Sequence, residues 1–259
     1  VQTRPIDISF NFSVPSLLFI RLPKWYALMR FNEPEQIMAS LTDSSVRHAL
    51  VAEAQGMMPL WNRLVLRQVV SEANQCLVGK TLQEIAELRG SDALNVMIDV
   101  SLEESLDAHF LSGDMGHNDD DLVAPLLKHP NVMVGASDGG AHILSFATYG
   151  DTGYLLGHFV RDTAHLGLEA AVKKITADPA SLWGLGNRGM LREGFIADIT
   201  VFDEAVVDRG VEYFVQDVPG DGYRYVRDAH GIHSVVIGGA LAYDKVNGYR
   251  EAHRGQIIG

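Results

Sequence analysis

Apolar and polar positions change rhythm along this chain, and each rhythm predicts a different element. Residues 132–136 form a short apolar run without polar alternation, the pattern of a strand covered on both faces, as in a parallel sheet. Residues 1–10 and 64–70 also read as strands, and the three are expected to run parallel with helices between them. Helical spacing fills most of the remaining chain up to Trp183. Residues 35–54 read as two helices broken near Thr42-Asp43, the second capped by Asp43-Ser44 with Val46, Leu50 and Val51 on one face. Thr81-Leu82-Gln83-Glu84 is a capping box that opens a helix over 82–88. A helix over 93–100 follows, and Ser101-Leu102-Glu103-Glu104 repeats the capping spacing. Further helices are expected over 122–128, 154–165 and 169–176, and Asp178-Pro179 opens a short one because proline suits a first helical turn. Residues 15–34, rich in proline and aromatics and including Trp25 and Tyr26, read as a lid or wall of a site, or as a packing loop.

After Trp183 the rhythm shortens. Gly184, Gly186, Gly189 and Gly194 punctuate the chain, residues 197–202 alternate, and residues 234–237 and 240–243 flank the hairpin signal Gly238-Gly239. The expected class is therefore α/β, with a helical and parallel-strand region over 1–183 and a small β unit over 184–259.

Composition narrows the function. A formal charge of −12 argues against nucleic-acid binding, which needs a basic surface. Cys76 is the only cysteine, which excludes an intrachain disulfide and a Cys-built zinc cage and makes a reducing cytoplasm the simplest home. No apolar run approaches the ~20 residues of a membrane span, so no membrane partner is expected, and no signal peptide is visible. The chain opens on Val1 and runs straight into a strand-like segment, where a polar, frayed end is commoner. It is expected to be the latter part of a longer polypeptide.

Asp138 ends the apolar run at 132–136 and is followed by Gly139 and Gly140. In α/β barrels, side chains at the carboxyl ends of strands face the substrate loops, and glycines allow a sharp turn beside them. A turn or helix-cap aspartate is the commoner origin of an isolated Ser-Asp-Gly, so both readings stay open at this point. His117 among Asp114, Asp119, Asp120 and Asp121 brings a metal loop to mind. No glutamate closes the segment as an EF-hand requires, and it reads as a solvated loop. His158 and His165 read as packing or capping residues, His230 and His233 as surface residues, and Arg161 as a structural ion-pair partner.

The segment from Ala170-Ala171-Val172 through Thr176-Ala177-Asp178-Pro179-Ala180, then Asn187-Arg188-Gly189, Gly194 and Ala197-Asp198-Ile199-Thr200-Val201-Phe202-Asp203, resembles the end of a metal-dependent amidohydrolase of the D-aminoacylase branch. Thr3-Arg4-Pro5-Ile6-Asp7, Trp25, Leu77-Val78-Gly79-Lys80-Thr81-Leu82 and Ser137-Asp138-Gly139-Gly140-Ala141-His142 carry the likeness over most of the chain. The resemblance implies the C-terminal part of a (β/α)8 TIM-like barrel followed by a small β-sandwich unit built from both chain ends, and hydrolysis of an amide or related C–N bond through water activated by zinc or a similar divalent metal. It implies that Asp138 is both metal-site ligand and proton shuttle. His142 becomes a substrate-binding or loop-positioning candidate, Arg4 a candidate clamp for a substrate carboxylate, and Arg188 with Asp198 the junction between barrel and β unit.

Two departures shape the expectation. The branch's early metal ligands, a His-x-His strand and the histidines of middle strands, have no counterpart here. The branch usually carries a His-Pro-Arg shortly after the aspartate, and residues 140–150 contain no arginine. The expected partner is therefore a small-molecule amide other than a free N-acyl-D-amino acid, with a second copy or an N-terminal portion of the same protein completing the assembly. The alternative is a non-catalytic barrel remnant or assembly module without a complete metal site.

Overall fold

The structure, a computed structural model, describes residues 1–259 apart from 2, 4–6, 14, 15, 32, 114–116, 136, 221, 251–254, 258 and 259. Arg4 and Asp114 therefore lie outside the described residues. The fold is mixed α/β and divides into two compact units. One comprises Ile6–Met115 and Leu144–Phe146, the other Val1–Pro5, Gly116–Ile143 and Ala147–Gly259.

In the first unit, strands β1 (Ile8–Phe10), β2 (Val65–Gln68) and β3 (His109–Ser112) form a sheet in the order β1-β3-β2. Phe10, Phe12, Leu66 and Phe110 are buried in the unit's apolar core. Ser9, Asn11, Arg67 and His109 alternate with them along the strands. Both pairings are antiparallel, with Phe110 opposite Phe10 and Leu66, which corrects the expectation of parallel strands. The reason lies in the alternation itself: one apolar and one polar face is the habit of antiparallel sheets, whereas parallel strands are apolar on both faces.

Residues 15–34 prove to be packing rather than a lid, as far as they are described. Phe19 and Trp25 are fully buried, their rings 5.1 Å apart, and Phe19 also stacks on Trp61 at 5.7 Å. Each indole finds an acceptor, Trp25 Nε1 at Leu50 O and Trp61 Nε1 at Ala54 O, both at 2.8 Å. Helix Ser44–Ala54 is capped by Asp43, whose carboxylate accepts from the Ser45 and Val46 amides, and helix Leu82–Arg89 carries the expected capping box at Thr81. The buried Glu104 carboxylate closes helix Ala93–Glu103 against the strand end: it accepts from the Val70 and Ser71 amides, the Ser71 hydroxyl and the Asn74 amide. Burial opposes its charge, and these hydrogen bonds outweigh that and hold its pKa at about 2.

In the second unit, helix Asp120–Lys128 and the continuous helical segment Asp151–Tyr154 and Leu155–Asp162 enclose an apolar cluster of Val123, Leu127, Leu155, Leu156 and Phe159. Leu155–Asp162 is wound as a π-helix. Residues 132–136, expected as a strand, belong to no strand among the described residues. The segment is tied to the chain start instead: the Val1 ammonium donates to Met133 O at 2.6 Å and Gly135 N donates to Val1 O at 2.7 Å. Two bonds to one residue hold the backbone extended but do not make a ladder.

The β part of this unit contains β4 (Ile199–Phe202), β5 (Asp208–Arg209), β6 (Tyr213–Val218), β7 (Gly222–Val226), β8 (Ala229–His230), β9 (Ile232–Ile237), β10 (Ala240–Asp244) and β11 (Gly248–Tyr249). They form an antiparallel sheet β11-β10-β9-β4 and two ribbons, β5-β8 and β6-β7. Gly238 and Gly239 turn the β9–β10 hairpin with φ of 55° and 80°, the doubly positive turn that the dipeptide predicted. No helix among the described residues is long and apolar enough to cross a membrane.

Candidate active site

Asp138 sits in the second unit on an exposed turn, with φ of 60°. That left-handed conformation costs a non-glycine residue energy and persists where its surroundings fix it. Two bonds fix it here. The Asp138 carbonyl accepts from the Ala141 amide at 3.0 Å and from the hydroxyl of buried Thr148 at 2.5 Å. Gly139 and Gly140 follow, Gly140 with φ of 94°, and His142 is again left-handed and exposed. Asp138 and His142 therefore share one surface turn, with the carboxylate open to an approaching molecule.

The segment after this turn is fastened to the β6–β7 ribbon. Tyr225 N donates to Ile143 O at 2.8 Å, Ala147 N to Glu212 Oε2 at 2.5 Å, and Arg227 N to the Tyr149 hydroxyl at 3.0 Å. Glu212 and Arg227, each 7 % exposed at the side chain, pair at 3.2 Å. Sequence reasoning missed Thr148, Glu212 and Arg227. None belongs to a motif, and Glu212 lies 65 residues from the amide it holds.

The other flagged residues take structural roles. His158 meets Asp120 at 2.8 Å and stacks on Tyr154, His165 Nδ1 meets the Thr163 hydroxyl at 2.7 Å, and His230 and His233 are exposed. Arg161 pairs with Asp162 and Asp208. Arg188 pairs with Asp198, which also accepts the Gly238 amide at the β9–β10 turn.

Among the described residues, no group of three or more His, Cys, Asp or Glu converges to hold a metal ion. Zinc takes about four ligands, and Asp138 supplies one carboxylate. The residues present do not by themselves fit the metal that the resemblance implies. A cavity of about 1170 Å³ opens in the second unit, lined by Leu156, Val172, Ile199 and Phe202 and also by Tyr149 and Arg227, among others; neither Asp138 nor His142 lines it. In the first unit, His109 is a second notable titratable group. It is buried, with Asn11 Nδ2 3.4 Å from its Nε2, and Arg67 donates to the Ser9 hydroxyl at 2.6 Å on the same face. Burial, and then the charge of Arg67, lower its pKa to about 4.

The fold is mixed α/β, and Asp138 and His142 share a glycine-flanked, solvent-facing turn. The sequence profile described as amidohydrolase family matches residues 38–243, and the chain belongs to that family, in its D-aminoacylase-like branch. It is 30 % identical over 184 residues to a D-aminoacylase of Alcaligenes xylosoxydans xylosoxydans, covering 70 % of this chain and 34 % of that protein. It is 38 % identical over 135 residues to the N-acyl-D-glutamate deacylase of the same organism, covering 51 % and 26 %. Among solved structures it is similar to N-acyl-D-glutamate deacylase from Bordetella bronchiseptica, complexed with zinc and a phosphonate inhibitor, at 26 % identity and a TM-score of 0.42, covering 73 % of this chain and 36 % of that one. The chain spans about a quarter to a third of the length of these curated relatives.

Proposed function

We propose that this chain is the C-terminal portion of a deacylase-like amidohydrolase that hydrolyses an amide or related C–N bond of a small molecule, with Asp138 as its catalytic carboxylate. The observation that carries this is the Asp138 turn: an exposed carboxylate held in a left-handed conformation beside two glycines, in a chain of this family. In this reading residues 184–259 form a small β-sandwich unit of a cytoplasmic protein, and residues 1–183 belong to its barrel region without supplying parallel barrel strands of their own, since β1, β3 and β2 pair antiparallel.

The chemistry assigned to Asp138 is proton transfer. As the oxygen of water bonds to the amide carbon, the carboxylate takes the proton that water releases. As the C–N bond breaks, the carboxyl returns that proton to the leaving nitrogen. His142, on the same turn, contacts the substrate or steadies the loop, and Arg4 meets a substrate carboxylate. A zinc-type metal enters only as an ion that Asp138 would share with histidines supplied from outside this chain.

The second reading, a non-catalytic remnant or assembly module, is favoured by the missing ligand cluster among the described residues. A His-x-His strand in translated sequence upstream of Val1 would separate the two. The 259-residue protein, loaded with zinc and assayed on N-acyl amino acids, cyclic amides and ureas, should bind the metal weakly and turn over none of them. Efficient hydrolysis by a monomer with stoichiometric, tightly held zinc would overturn the proposal that the site is shared.

A further inference from the structure

Asp138 stands on an exposed loop, and a carboxylate that moves protons must be held to within about 0.5 Å of its working position. The loop's support comes from the β6–β7 ribbon. Glu212 directly precedes β6 and Arg227 directly follows β7, so their buried ion pair closes the ribbon's base. The same Glu212 oxygen that meets Arg227 accepts the Ala147 amide at 2.5 Å. Next to it in the chain, Thr148 donates its hydroxyl to the carbonyl of Asp138 itself. A path of two hydrogen bonds and one peptide link thus joins Glu212 to the backbone of Asp138. The bonds from Tyr225 to Ile143 and from Arg227 to Tyr149 brace either side of it. A hydrogen bond from an amide to a buried, ionised carboxylate is about twice as strong as a neutral one, which suits an anchor.

We infer that Glu212 is a positioning residue: its carboxylate clamps the Ala147-Thr148 segment and thereby fixes Asp138 for proton transfer. The inference rests on the reading of Asp138 as the catalytic carboxylate. Glu212 itself touches no substrate in this account.

The test compares Glu212→Ala, which removes the acceptor, with Glu212→Gln, which keeps an oxygen for the Ala147 amide, and with Asp138→Asn. The first readout is hydrogen exchange in the 259-residue protein. Glu212→Ala should speed exchange at the Ala147 amide by about tenfold or more, leave the β9–β10 amides protected, and be reversed in Glu212→Gln. The second is turnover of an amide substrate by the polypeptide that carries this chain with the remaining metal ligands. There kcat should fall about 100-fold in Glu212→Ala, KM should stay within about threefold, and Glu212→Gln should recover most of the rate. Unchanged exchange at Ala147, an unchanged kcat, or equal losses in the Ala and Gln variants would each overturn the clamp. Normal turnover by Asp138→Asn would instead overturn the reading of Asp138, and faster Ala147 exchange would then leave Glu212 as a loop anchor alone.

Discussion

His109 is the residue whose titration the fold controls most clearly in a readily measured pH range. It lies 4 % exposed, and burial followed by the neighbouring Arg67 charge lowers its pKa to about 4. The folded state therefore binds a proton less readily than the unfolded chain, whose histidine has a pKa of ~6.5. The sign follows: the stability linked to neutral His109 is fully present above the unfolded value and is lost as pH falls through about 4. A difference of that size corresponds to about 3 kcal/mol as an upper figure. Urea unfolding of the wild type should show stability falling between pH ~6.5 and ~4, and His109→Gln should flatten that slope. Parallel profiles for the two proteins would show that His109 is not the group responsible. At this scale the sequence marked Asp138 by its Ser-Asp-Gly-Gly motif but placed it at the end of a strand, whereas the structure puts it on an exposed turn with no strand over the described residues before it. The sequence was silent on His109, Thr148, Glu212 and Arg227, whose roles come from partners distant in the chain.

Elements were legible where the signal is local. The capping box at Thr81, the Asp43 cap and the Gly238-Gly239 hairpin each need only a few neighbouring residues, and each formed as the spacing predicts. Strand β3 was invisible because His-Phe-Leu-Ser carries no period of its own; it is a strand because β1 and β2 pair with it. Residues 132–136 failed in the opposite way, since an apolar run becomes a strand only when a neighbouring strand completes the ladder. The helix over 154–165 was read as an ordinary one; it is wound as a π-helix over Leu155–Asp162, and Gly157 within it packs closely against residues distant in the chain. A Cβ at Gly157 would lie 2.8 Å from the Asp208 carboxylate carbon and 2.9 Å from Val207 O. Gly157→Ala should therefore cost about 1–3 kcal/mol, as overpacking does elsewhere, and lower the thermal midpoint. An unchanged midpoint in calorimetry would mean that Gly157 does not lie this close to Val207 and Asp208.

At the scale of the whole molecule, family membership and fold support different statements. The profile match over residues 38–243 places the chain among amidohydrolases, and the resemblance read from residues 170–203 and 137–142 pointed to the same branch. Among the described residues no cluster of metal-ligating side chains assembles. The role proposed for Asp138 therefore draws on ligands beyond any that the described residues bring together. Whether Asp138 moves protons is decided by the rate at which an amide substrate is hydrolysed, in the presence of the proposed further ligands, with and without the Asp138→Asn substitution. General acid–base catalysis contributes about 10²–10⁴-fold. A kcat loss of that order is expected, with circular dichroism and thermal midpoint unchanged. Turnover at the wild-type rate by correctly folded Asp138→Asn would contradict that role.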